Sequence, residues 1–193
     1  MIVVSSPARA EQLLVDGDIP CPACCGVLRP HGHGRTRTVR GMGAARVTIT
    51  PRRARCGDCR ATQVLLPTAL TSRLADATEV VGNALLAKAN GAGCRTIASA
   101  LGRPESTVRR WLRRARGEHA EWLYQQGVEQ AIVFDGELLG RPGKPHKTML
   151  GEALNLLAGA ALRFRECLKV TDPIWSLIAI LARGRLLAAR PIT

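Results

Sequence analysis

The sequence predicts an α+β fold, mostly helical: a small three-stranded sheet, then a unit of three helices, then a C-terminal helical pair. Three observations predict it. Two Cys-x-x-Cys pairs bracket short runs that alternate apolar and polar residues, as in Val47-Thr48-Ile49-Thr50. Apolar residues then recur at helical spacing between 75 and 116, with a break at Gly102. Two further apolar stripes lie beyond residue 148.

The chain divides accordingly. Residues 1–18 read as a polar leader with little periodicity, 19–70 as the sheet module, 71–127 as the three-helix module, and 128–193 as a C-terminal region. In the sheet module, Arg35–Arg40 and Ala45–Arg55 form a long hairpin around a turn at Gly41-Met42-Gly43, and Thr62–Leu66 supplies the third strand. In the last region, Ala131-Ile132-Val133-Phe134 reads as a short strand, Gly136 to Pro145 as a loop, and helices follow near 148–169 and 173–189. Leu150, Leu154, Leu157, Ala158 and Leu162 make one stripe, and Ile174, Leu177, Ile178, Leu181 and Leu186 the other. These stripes serve either to pack on the three-helix unit or to pair with a second copy as a homodimer.

Charge narrows the class of partner. The net charge is +13, with 28 basic residues against 15 acidic ones. All but four of the basic residues are arginine, whose planar fork suits phosphates and guanine edges. Such a balance points to a polyanion. The apolar stretches near 149–162 and 173–182 are interrupted or too short for a bilayer, so a membrane span is excluded and a cytoplasmic, nucleoid-associated location is expected. The seven cysteines are then expected to be reduced.

Four of them have metal-ligand spacing. Cys21-Pro22-Ala23-Cys24 and Cys56-Gly57-Asp58-Cys59 each place two thiolates on one tight turn, with 31 residues between the pairs. Two such turns brought together make a closed tetrahedral shell for one structural Zn²⁺, with no position open to water or substrate. The arrangement is that of a zinc ribbon. Cys25, His31 and His33 lie close enough in sequence to be alternative ligands, and Cys94 and Cys167 read as small apolar fillers.

The second motif runs from Arg95 to Trp111. Ile97, Ala98 and Leu101 line one face of a first helix, Gly102 ends it, and Pro104 to Thr107 suit the start of the next. Val108, Trp111 and Leu112 fall on the inner face of that second helix. Ser106, Thr107, Arg109, Arg110, Arg113 and Arg114 are left on the outer face, which is what a DNA-reading helix needs: hydroxyls near its N-terminus and long cations along its side. With the helix at 75–90 this is a tri-helical helix-turn-helix, and double-stranded DNA is the expected partner. Arg52, Arg53 and Arg55 of the ribbon would add phosphate contacts.

Cys21–Cys24, Arg53–Cys59, Val64-Leu65-Leu66-Pro67 and the Arg95–Trp111 stretch together resemble the zinc ribbon and helix-turn-helix at the front of bacterial insertion-sequence transposases and in small proteins of mobile elements. The resemblance covers residues 20–115. It implies a transposon-associated regulator or accessory factor, with a transposase as partner, acting at element ends or a promoter. A truncated transposase and a zinc-ribbon adaptor for proteins are the alternatives. In such transposases a domain with three carboxylates follows. Asp135 resembles the first of them, but Glu137, Glu152, Glu166 and Asp172 fall mostly in helical segments, so Asp135 is expected to be a loop or capping acid and the chain not to be an enzyme.

Overall fold

A computed structural model describes residues 1–139 and 146–188, and the loop residues 140–145 expected from sequence lie outside them. The fold is α+β. The strands are β1 (Ile2–Val4), β2 (Leu28–His33), β3 (Arg37–Arg40), β4 (Arg46–Ile49), β5 (Arg52–Cys56) and β6 (Thr62–Pro67). The helices are α1 (Pro7–Asp16), α2 (Thr78–Ala89), α3 (Cys94–Leu101), α4 (Glu105–Arg114), α5 (Glu118–Phe134), α6 (Met149–Leu168) and α7 (Ile174–Leu181).

The ribbon differs from the expected three-stranded sheet. Its strands run in the order β1-β6-β5-β2, with β1 parallel to β6 and the other pairs antiparallel. Residues 1–18 are therefore part of this module: β1 is its edge strand, and α1 covers one face, burying Ala10 and Leu14 with Val4, Ile19, Leu28, Ala54 and Leu65. Ser6 caps α1 through its side chain, with Pro7 opening the first turn. Strand β2 was hidden in the sequence by Pro30 and Gly32, residues that weaken a strand reading.

The hairpin expected to run from 35 to 55 is two separate pieces. β3 and β4 form a separate two-stranded sheet around Gly41–Ala45, and Arg40 of β3 also bridges to the chain at Asp76. Their inner residues Val39 and Ile49 belong to the apolar core of the helices. The segment between the two cysteine pairs thus leaves the ribbon, packs on the helical half, and returns as β5.

That helical half is one core. Trp111, Val108, Ile97, Val80, Val81 and Leu85 of the helix-turn-helix are buried together with Leu150, Leu154 and Leu157 of α6 and Leu177 and Ile178 of α7. Most of the two C-terminal stripes is spent on this core, while Leu162 of the first is left exposed. Gly82 on α2 shows how close the approach is: a Cβ there would lie 2.4 Å from the indole of Trp175, which donates its N–H to Asn83 Oδ1 at 2.8 Å. Ala131–Phe134 is the last turn of α5, not a strand, because Ala131 is buried among the helices and Phe134 meets the ring of Phe164 edge-on. The final helix ends at Leu181, well short of 189. Among the described residues no helix is long and apolar enough to cross a membrane.

Candidate metal centre and nucleic-acid interface

The two cysteine turns are built alike. Each is closed by a backbone bond across it, Cys21 N–H to Gly26 O at 2.6 Å and Cys56 N–H to Ala61 O at 2.9 Å. The residue after each second cysteine, Cys25 or Arg60, has a positive φ, 61° and 64°. That left-handed step turns the chain back so that both sulfurs of a pair face the same point. The two turns approach closely at Gly26, where an added Cβ would lie 2.0 Å from Asp58 Oδ2 and 3.1 Å from Cys56 Sγ.

The four sulfurs of Cys21, Cys24, Cys56 and Cys59 lie within 4.8 Å of one another. The cross-pair separations Cys21–Cys59 and Cys24–Cys56 are 3.6 and 3.5 Å. A tetrahedron of thiolates about 2.3 Å from a zinc ion has edges of roughly 3.8 Å, so the set fits a metal of that size. All four cysteines are free thiols. Cys25 is exposed and outside the cluster, as are His31 and His33. His33 instead lies 3.9 Å from Glu11.

The local field is uneven. Cys24 is pushed up to about 12: the backbone N–H of Gly26 pulls it down, but the thiols of Cys59 and Cys56 outweigh that pull. Cys56 is lowered to about 7, chiefly by the backbone N–H of Cys59 and against the cost of burial. Cysteine binds a metal as thiolate, so loading the site must expel protons. Calorimetry of zinc binding at pH 7 in buffers of different ionisation enthalpy is expected to show at least one proton released per metal. Binding with no buffer dependence would contradict this.

Of the other cysteines expected to be fillers, Cys94 is half-buried, its sulfur 3.7 Å from the Glu105 carbonyl, whereas Cys167 is exposed near the end of α6 and fills nothing.

Helices α2, α3 and α4 form the second site. Gly102 closes α3 with φ 60°, and the next amide, Arg103 N–H, bonds back to Ala98 O at 2.9 Å, the usual stop for a helix whose successor must turn sharply. Pro104 then precedes α4, where Glu105 complements the helix N-terminus and also pairs with Arg109. Val108 and Trp111 face inward. Ser106, Arg109, Arg110 and Arg113 are exposed and Thr107 is half-buried.

Other sequence-picked residues are placed differently. Arg114 turns back, its Nε donating to Ala188 O at 2.8 Å, and thereby ties the end of α4 to the segment after α7. Arg52 is largely covered, held by Glu11 at 2.9 Å and by Gly32 O at 2.9 Å. Arg53 and Arg55 point the other way along β5, and Arg55 donates to Arg60 O. Asp135 follows α5, pairs with Arg163 at 2.7 Å, and accepts from the Glu137 N–H.

Sequence reasoning missed a buried ion triad. Asp76 sits between Arg103 and Arg40, each 2.7 Å away, and both Asp76 and Arg103 are buried. Arg103 also donates to the carbonyls of Gly41, Leu101 and Gly102. One guanidinium thus joins the turn of the helix-turn-helix to the tip of the β3–β4 hairpin. Three scattered charges carry no spacing signal.

A family model described as a homeodomain-like domain matches residues 80–122. The match spans nearly all of α2, the whole of α3 and α4, and the start of α5. It supports a helix-turn-helix DNA-binding module. Comparison with curated proteins and with solved structures returned no match.

Proposed function

We propose that this chain is a non-enzymatic, sequence-specific DNA-binding protein carrying one structural zinc ion, and that it serves a mobile element as regulator or accessory factor. The observation that carries the reading is α4. It is the third helix of a homeodomain-like unit, anchored inward by Val108 and Trp111, with Ser106, Arg109, Arg110 and Arg113 on its open face. A helix so placed enters the major groove by its N-terminal part, hydroxyls and guanidinium forks meeting base edges and cations further along meeting phosphates.

Zinc suits the closed four-thiolate shell, whose work is to hold a small sheet together. Cys21, Cys24, Cys56 and Cys59 would hold it. A non-catalytic role is supported by Asp135, whose carboxylate is committed to Arg163 and to the turn that follows α5. The mobile-element link rests on the resemblance of ribbon plus helix-turn-helix. Any pairing of two copies would have to use surface that the core leaves open, such as Ile132, Val133 and Leu162.

Arg109→Ala and Arg113→Ala are expected to weaken binding to a selected DNA site by about tenfold or more each, with relaxed base preference where a guanine contact is lost and unchanged helicity. Selection from a random duplex pool followed by affinity measurement tests this. Wild-type affinity in both variants would overturn the assignment of α4. Strand cleavage in Mg²⁺ abolished by Asp135→Ala would instead establish a truncated transposase.

A further inference from the structure

We propose that the β3–β4 hairpin is a second DNA-contacting element, a wing that grips the phosphate backbone flanking the groove occupied by α4. This rests on the DNA-binding reading of α4 above. The first support is position. The tip of the hairpin is fastened to the helix-turn-helix itself: Arg103 donates to Gly41 O at 2.6 Å, and the Ala77 N–H, at the start of α2, donates to Arg40 O at 2.9 Å. Arg103 lies in the turn just before α4. Ser106, at the leading end of α4, is only three residues further on, which is at most about 11 Å of chain. The major groove is about 12 Å wide, so an element beside that end meets the bordering backbone.

The second support is chemistry. From Ile19 to Gly57 the chain has eight arginines and no acidic residue. Opposed residues share a face of an antiparallel pair. Val39 and Val47 are opposed on the inner face, while Thr38 and Thr48 are opposed on the outer one. That outer face is a ladder of hydroxyls, Thr36 to Thr50 at 2.8 Å and Thr38 to Thr48 at 2.9 Å, all exposed. Within each pair one hydroxyl proton is used and the other remains free to donate. Arg46 stands at the tip end of the ladder, exposed and in no ion pair among the described residues. Hydroxyls with an unpaired guanidinium are the donors that phosphate oxygens take, and they carry no base information.

The test uses the full zinc-loaded chain and a duplex selected from a random pool. Arg46→Ala should weaken binding roughly three- to tenfold, equally on selected and unrelated sequences, and lower the slope of log affinity against log salt by about one. Arg46→Lys should recover most of the loss. Because Arg46 is exposed and unpaired, zinc content and circular dichroism should be unchanged. A second variant, Thr38→Ala with Thr48→Ala, should weaken binding in the same sequence-independent way. Wild-type affinity and salt slope in Arg46→Ala and the threonine variant, while Arg113→Ala binds poorly, would overturn the wing and leave the reading of α4 intact. A loss confined to one base position would overturn the phosphate assignment. No salt-dependent DNA binding by the unaltered chain would overturn both.

Discussion

Cys56→Ser is expected to melt the ribbon while the helices stay folded. The core between α1 and the sheet is small, and two of its nine buried residues, Cys21 and Cys56, are themselves sulfur ligands. A structural zinc ion bound by these four thiolates would contribute an apparent ~10–16 kcal/mol at neutral pH, comparable with the ~5–15 kcal/mol that hold a whole domain. The few aliphatic side chains left cannot replace that. The helical core is a separate cluster that buries Trp111 and Trp175, and the third tryptophan, Trp122, packs against it half-buried. Tryptophan emission should therefore persist in Cys56→Ser, or after exhaustive chelation, while strand signals in circular dichroism and protection of ribbon amides disappear. The β3–β4 hairpin should remain protected, since Val39 and Ile49 belong to the helical core. Ribbon amides that stay protected without metal would show that the thiolates are not its main support.

Asp76→Ala should act on the other half of the molecule. Removing the acid leaves Arg103 almost buried, with 6% of its side chain exposed, and without a counter-charge. Breaking a buried pair in this one-sided way costs about 3–5 kcal/mol. The expected result is a large drop in the urea midpoint of the transition reported by tryptophan, with loss of protection in the hairpin tip. Arg40→Ala should cost much less, because its side chain is 38% exposed and water can take its place. Equal, small effects of the two variants would show that the triad is peripheral.

Legibility in the sequence followed the range of the interactions. Each cysteine turn and the α3–α4 turn are set by residues within a few positions, so Cys21, Cys24, Gly102, Val108 and Trp111 announced them. The sheet is not legible locally because its partners are remote: β1 pairs with β6, with Ile2 opposite Leu65. Nothing local shows that an N-terminal Ile-Val-Val will be an edge strand there, or that β3 and β4 will desert the ribbon for another core. Ala131–Phe134 erred in the opposite sense. Its β-branched residues favour a strand, but Ile132 and Val133 are 62% and 68% exposed and do not set the local structure, while Ala131 packs in the core. The arginines of α4 were legible as a face. That Arg114 would leave that face depended on Ala188, 74 residues away.

The two ends of α4 are held by different parts of the chain. At its start, Arg103 locks the preceding turn to the hairpin, and at its finish Arg114 is bonded to the backbone beyond α7. A helix of ten residues is marginal in water on its own. Pinned at both ends, α4 is preformed, and as the proposed reading helix it would dock without ordering of its backbone. The free energy that a flexible reading helix would lose to its own folding on contact stays available here for discrimination between sites.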